Sequence, residues 1–89
     1  MGILMKSNGE VQEITPQNGK HFSLEELQGF VEGYIEIVSI GDKHMVVNEA
    51  GKLDGLDINS KATEIYIKHY GSNDIIVGNA LLADRGEII

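Results

Sequence analysis

The apolar positions of this 89-residue chain fall into short runs whose period changes along the sequence. Ile3 to Met5 and Val11 to Thr15 are apolar-weighted, and Asn8-Gly9 between them suits the positive φ angles of a tight turn, so a β-hairpin is expected. Pro16 stops the pairing, and Gln17-Asn18-Gly19-Lys20 makes a loop. From Ser23 the period lengthens. Leu24, Leu27 and Val31 share one helical face with Phe30 beside it, while Glu25, Gln28 and Glu32 look outward. Ser23 and Glu26 have the spacing of a capping box, and Phe22 and Leu27 that of a hydrophobic staple. Gly33 is expected to take the left-handed conformation that ends the helix.

Tyr34 to Ile40 then turns β-rich. Ile35 and Ile37 point one way and Tyr34, Val38 and Ile40 the other, with Glu36 as the interruption, so this strand is expected to be central. Gly41-Asp42 supplies a hairpin turn into His44 to Val47, and Asn48-Glu49-Ala50-Gly51 reads as a further turn or bulge. Asn59 or Ser60 caps a second helix with Ala62, Ile65, Tyr66 and His69 on one stripe, Lys68 and His69 near its negative end, and Gly71 as its stop. Ile75 to Leu82 reads as a buried strand and 83–89 as a flexible tail. The order ββαββαβ predicts a single α+β domain over 1–89, with a mixed sheet, helices packed on one face and a β-grasp-like arrangement.

Composition narrows the function classes. Fourteen acidic residues against seven basic ones leave a net charge of −7, spread from Glu10 to Glu87. A field of that sign repels nucleic acid, and Arg85 is the one arginine among the cations, so direct nucleic-acid binding is not expected. The chain has no cysteine, which removes disulfides and thiolate zinc sites and suits a reducing cytoplasm. Its apolar runs are far shorter than the roughly 20 residues that span a bilayer, and no export signal stands at the N-terminus.

Catalytic signatures are missing as well. The serines lack a nucleophile elbow, and the glycines form neither a phosphate loop nor a dinucleotide fingerprint. His21, His44 and His69 lie on three different segments, and Glu49, Asp54 and Asp57 lack the alternation of a calcium loop, so neither a metal nor another cofactor is expected. What remains is a polar group at element ends: Asn48, Glu49, Lys52, Asn59, Thr63, Asp74 and Asn79. Turn and cap chemistry accounts for most of these residues. The alternative is a ligand site in which Lys52 and Lys61, near the amides that open the second helix, receive a carboxylate or a single phosphate. For a protein partner, the exposed helix face at Glu25 and Glu32 and the aromatic Tyr70 are the candidate contacts.

Pro16-x-Asn18-Gly19, Leu24-x-x-Leu27-Gln28-x-x-Val31-x-Gly33-Tyr34-Ile35-Glu36-x-Val38, Val47-Asn48-Glu49-x-Gly51-Lys52-Leu53-x-Gly55-Leu56-x-x-Asn59-x-x-Ala62-Thr63 and Asp74-x-Ile76-Val77-Gly78-x-Ala80 follow one another at set spacings. By these residues, over almost its whole length, the chain resembles the small proteins grouped as domain of unknown function family 3846. Members occur largely in bacteriophages, conjugative elements and the bacteria that carry them, so the resemblance implies a mobile-element accessory protein of the bacterial cytoplasm, and it implies no activity. Two positions depart from the family's pattern. Glu32 replaces the first glycine of Val-Gly-Gly, implying that no tight backbone approach is needed at the helix end, and Asn79 replaces an aspartate, removing an acid or metal role there. The expected function is a non-enzymatic protein-interaction module that modulates a host or phage protein, with counter-defence as one form of it. The alternative is a homo-oligomer that sequesters a small ligand such as a nucleotide. No membrane partner is expected.

Overall fold

The computed structural model describes residues 1–71 and 73–88. β1 (Gly2–Met5) and β2 (Val11–Ile14) form the expected hairpin, with Gly9 at a φ of 98° in its turn and Met5 opposite Val11. α1 (Leu24–Val31) begins at the predicted capping box: Ser23 Oγ accepts from Glu26 N at 3.1 Å, and Glu26 Oε1 accepts from Ser23 N at 2.9 Å. Phe22 and Leu27, the staple pair, are both fully buried in one cluster, whereas Leu24, expected on the buried face, is exposed.

The end of α1 differs from the expectation. Glu32, not Gly33, takes the left-handed conformation, at φ 62° and ψ 42°. Gly33 is needed for a different reason: a Cβ there would lie 2.6 Å from Nδ2 of Asn48, whose amide donates to the Val31 carbonyl at 3.0 Å. The tight approach that Glu32 was expected to make unnecessary is therefore present one residue later.

β3 (Ile35–Ile40) turns through Gly41 into β4 (Lys43–Asn48). α2 (Ser60–Tyr70) is capped by Asn59 and ends at left-handed Gly71, as predicted. β5 (Ala80–Asp84) begins later than the apolar run suggested, because Ile75 to Asn79 is irregular backbone that touches Ile58 through a single bridge at Val77.

The five strands lie in the order β2-β1-β5-β4-β3, and all four pairings are antiparallel. The α+β class and the element order are as expected; the mixed sheet is not, because β5 inserts between β1 and β4 running opposite to both. Nor do the helices share one face. Leu27 and Val31 of α1 pack with Leu4, Val46, Leu81 and Ala83, while Ala62 of α2 packs with Met5, Met45, Val47 and Ala80. Adjacent residues of one strand point to opposite sides, so the two clusters occupy opposite faces of the sheet. The β-grasp-like arrangement is thereby overturned.

Two further expectations change with it. β3 is an edge strand, not a central one; its apolar residues on both faces reflect a helix on each side, with Ile35 packed in the α1 cluster and Val38 and Ile40 in the α2 cluster. Residues 83–88 are not a flexible tail. Ala83 and Ile88 are buried in the α1 cluster, a 3-10 turn spans Arg85–Glu87, and Ile88 bridges Phe22. Ile89 lies outside the described residues.

Candidate functional site

The polar residues expected to form a site are mostly engaged in holding loops. Asn59 is 1% exposed; its Nδ2 donates to the carbonyls of Met5 and Gly78, both at 2.9 Å, and its Oδ1 accepts from Ala62 N at 3.0 Å. One amide thus ties the start of α2 to β1 and to the segment before β5. Asn79 spans a similar gap, accepting from Ser7 N at 3.1 Å and donating to the Phe30 carbonyl at 3.2 Å. Thr63 Oγ1 accepts from Ile76 N at 2.8 Å and donates to the Ile76 carbonyl at 3.2 Å. Asn48 joins the end of α1 to the turn at Ala50, whose N–H its Oδ1 accepts at 2.8 Å. Cap and turn bonds account for Asn59 and Asn48, whereas Thr63 and Asn79 hold main-chain groups distant in sequence.

The rest divide between two clefts. Glu49, Lys52 and Asp74 line one of about 190 Å³, beside Asn48 and together with Glu36, Tyr66 and an apolar floor that includes Val38, Val47 and Ile76. Lys52 Nζ pairs with Asp74 Oδ1 at 2.5 Å across its rim. That hydrogen bond, with a second from Ile75 N, holds the Asp74 carboxyl below its ordinary range. Lys61 lines a different groove of about 270 Å³, between the β1–β2 turn and the start of α2. Lys52 and Lys61 therefore do not converge on one anion, and the expected pairing of these two cations is overturned. The residues are close in sequence, but Lys61 lies beside the β1–β2 turn while Lys52 pairs with Asp74. Among the described residues, no three His, Asp or Glu side chains gather to hold a metal, and no helix is long and apolar enough to cross a membrane.

The expected partner contacts are likewise separated. Glu25 on α1 and Glu32 at its C-terminal cap are exposed. Tyr70 lies at the far end of α2, where its hydroxyl donates to the Ser39 carbonyl. Tyr34 is 75% exposed.

The feature that sequence reasoning missed is the outer side of β3. The two-residue connection Gly41-Asp42 makes Ile40 and Lys43 the hydrogen-bonded pair that closes the hairpin. In an antiparallel ladder such pairs alternate, so Ile40, Val38 and Glu36 bond to β4 while Ile35, Ile37 and Ser39 turn their main-chain groups away from the sheet. The contacts at either end agree: Tyr34 O accepts from Glu49 N on the β4 side at 2.9 Å, and Ser39 O is reached from outside by Tyr70. The edge carries a single charge, Glu36, and no lysine or proline. Native edges are usually blunted by such residues. The signal available in the sequence is the paucity of charge from Tyr34 to Ile40, a pattern that a buried strand shares.

No curated protein and no solved structure matches the chain. The family comparison is positive. The model described as Domain of unknown function (DUF3846) matches residues 1–88, nearly the whole length, and the chain belongs to that family.

Proposed function

We propose that the protein is a non-enzymatic interaction module, an accessory protein of a bacteriophage or mobile element that acts in the bacterial cytoplasm by binding a host protein, for instance one of defence or DNA handling. The observation that carries this reading is the β3 edge, uncovered among the described residues: six residues with one charge, outward main-chain groups at Ile35 and Ile37, and Ile37 itself 42% exposed. An edge of this kind is a template for an added strand, a mode of recognition in which main-chain hydrogen bonds supply affinity. Tyr34 directly before it, and Leu53, 93% exposed at the neighbouring cleft, add apolar contact area. The sequestering alternative has less support within one chain, because pockets for small molecules begin at about 300 Å³ and the cleft holding Lys52 is smaller.

The test is affinity purification from bacterial extract with wild-type protein and Ile37→Pro. The proline removes an N–H that points away from β4, so the fold is retained while the edge is blocked. Loss of the co-purifying protein with an unchanged circular dichroism spectrum is the expected result. A partner retained by Ile37→Pro but lost on charge reversal at Glu25 and Glu32 moves the interface to α1 and overturns the edge.

A further inference from the structure

We infer that the β3 edge receives an extended segment of a partner in which basic and apolar residues alternate, with a lysine or arginine of that segment lying over the cleft at Glu36 and Glu49. The inference rests on the docking reading above and adds the chemistry of the occupant.

Position comes first. Tyr70 occupies the Ser39 carbonyl, so the residues that keep both outward groups for pairing are Ile35 and Ile37, on either side of Glu36. The residue of an added strand that faces Glu36 is therefore the central one of the contact. Its side chain falls on the same face as Glu36, because directly opposed residues in a sheet share a face.

On that face lies the 190 Å³ cleft. Glu36 and Glu49 stand at it, and neither carboxylate forms an ion pair or side-chain hydrogen bond among the described residues. Below them is the apolar floor of Val38, Val47, Ile76 and Val77. A long basic side chain suits both parts: its methylene stem covers the apolar surface and its cation meets the carboxylates. The cleft has room for one such side chain. On the opposite face the segment's neighbouring residues lie beside Ile35 and Ile37, which favours apolar side chains there. The net charge of −7 adds attraction for a basic partner and opposes a second copy of this chain, which carries the same charge.

The test titrates isotope-labelled protein with two synthetic six-residue peptides, alternating Lys-Val and alternating Glu-Val, at about 0.15 M salt, where long-range attraction is screened. The Lys-Val peptide is expected to shift the amide resonances of Ile35 and Ile37, and the Glu36→Gln/Glu49→Gln double variant to weaken that binding about tenfold. Equal binding of both peptides at β3, or Lys-Val binding that is insensitive to the double variant, overturns the basic occupant and leaves the edge as the docking surface. Absence of any shift at Ile35 and Ile37 with either peptide, or shifts confined to α1, overturns both.

Discussion

The hydroxyl of Tyr70 donates to the main-chain carbonyl of Ser39, closing one of the groups that β3 turns outward. Nearby, His69 Nε2 accepts from Gly41 N at 3.3 Å and Arg85 donates to the Gly41 carbonyl at 2.7 Å, so the β3–β4 turn is held from two sides. Tyr70 thus guards part of an otherwise open edge. Tyr70→Phe keeps the ring against Tyr66 and frees the carbonyl. Its cost in stability is about 1 kcal/mol or less, since one exposed hydrogen bond is lost. The expected gain is in docking: the alternating Lys-Val peptide binds Tyr70→Phe more tightly than wild type, with amide shifts extending to Ser39. Equal affinity removes the guarding role.

Asn59 is where the fold is most sensitive to a single polar substitution. Asn59→Ala removes the cap of α2 and leaves the Met5 and Gly78 carbonyls without their partner. A lost cap costs about 1 kcal/mol and each stranded buried acceptor about 1 kcal/mol more, giving a destabilisation of about 3 kcal/mol. Urea unfolding followed by circular dichroism measures it, with a lower midpoint and an unchanged slope as the expected pattern.

Glu32→Gly should stabilise the protein. The left-handed conformation costs a side-chain-bearing residue roughly 1–2 kcal/mol, glycine returns part of that through its unfolded-state freedom, and an acid at a helix C-terminus opposes the dipole. The net gain is about 1 kcal/mol, read as a higher thermal midpoint. Gly33→Ala is expected to act in the opposite direction, because its Cβ collides with the Asn48 amide.

Acid should weaken the fold through three carboxylates. The Glu26 pKa is lowered from 4.5 chiefly by the Ser23 and Gln17 backbone N–H groups, Asp74 from 3.8 by Lys52, and Asp84 from 3.8 by Lys43. A lowered folded-state value means that the stabilisation is complete above the ordinary value and is lost as pH falls through the lowered one. Lys43, raised above 10.5 by Asp84, behaves in mirror image: its contribution is present below 10.5 and is lost as pH rises through the raised value. These groups are solvent-exposed, so the amounts are small. In urea titrations, the stability gap between wild type and Glu26→Gln is expected to be widest above pH 4.5 and to close as pH falls below it.

Local features of the fold were legible because they rest on neighbouring residues. The Ser23–Glu26 box, the Asn59 cap and the turns at Gly9 and Gly41 all follow from a few side chains and their own backbone. Layering was harder to see. Ile3-Leu4-Met5, Met45-Val46-Val47 and Ala80 to Ala83 are apolar on both faces, the pattern of a sheet covered on two sides, and β3 carries the same pattern although it lies at the edge. Pairing partners far apart in sequence decide which strand is outermost, and no local period encodes them. The candidate site follows the same division: Asn48 and Asn59 stand at element ends that turn and cap chemistry marks, while the position of Asn79 before β5 and the separation of Lys52 from Lys61 depend on tertiary structure.

β5 occupies the middle of the sheet although it is the last strand along the chain. The hairpins β1–β2 and β3–β4 can each form from local contacts, but neither meets the other until residues 80–84 arrive between them. During synthesis the growing chain therefore carries two unjoined hairpins whose apolar faces await a common neighbour. The interval before that last strand emerges is when misassembly threatens most.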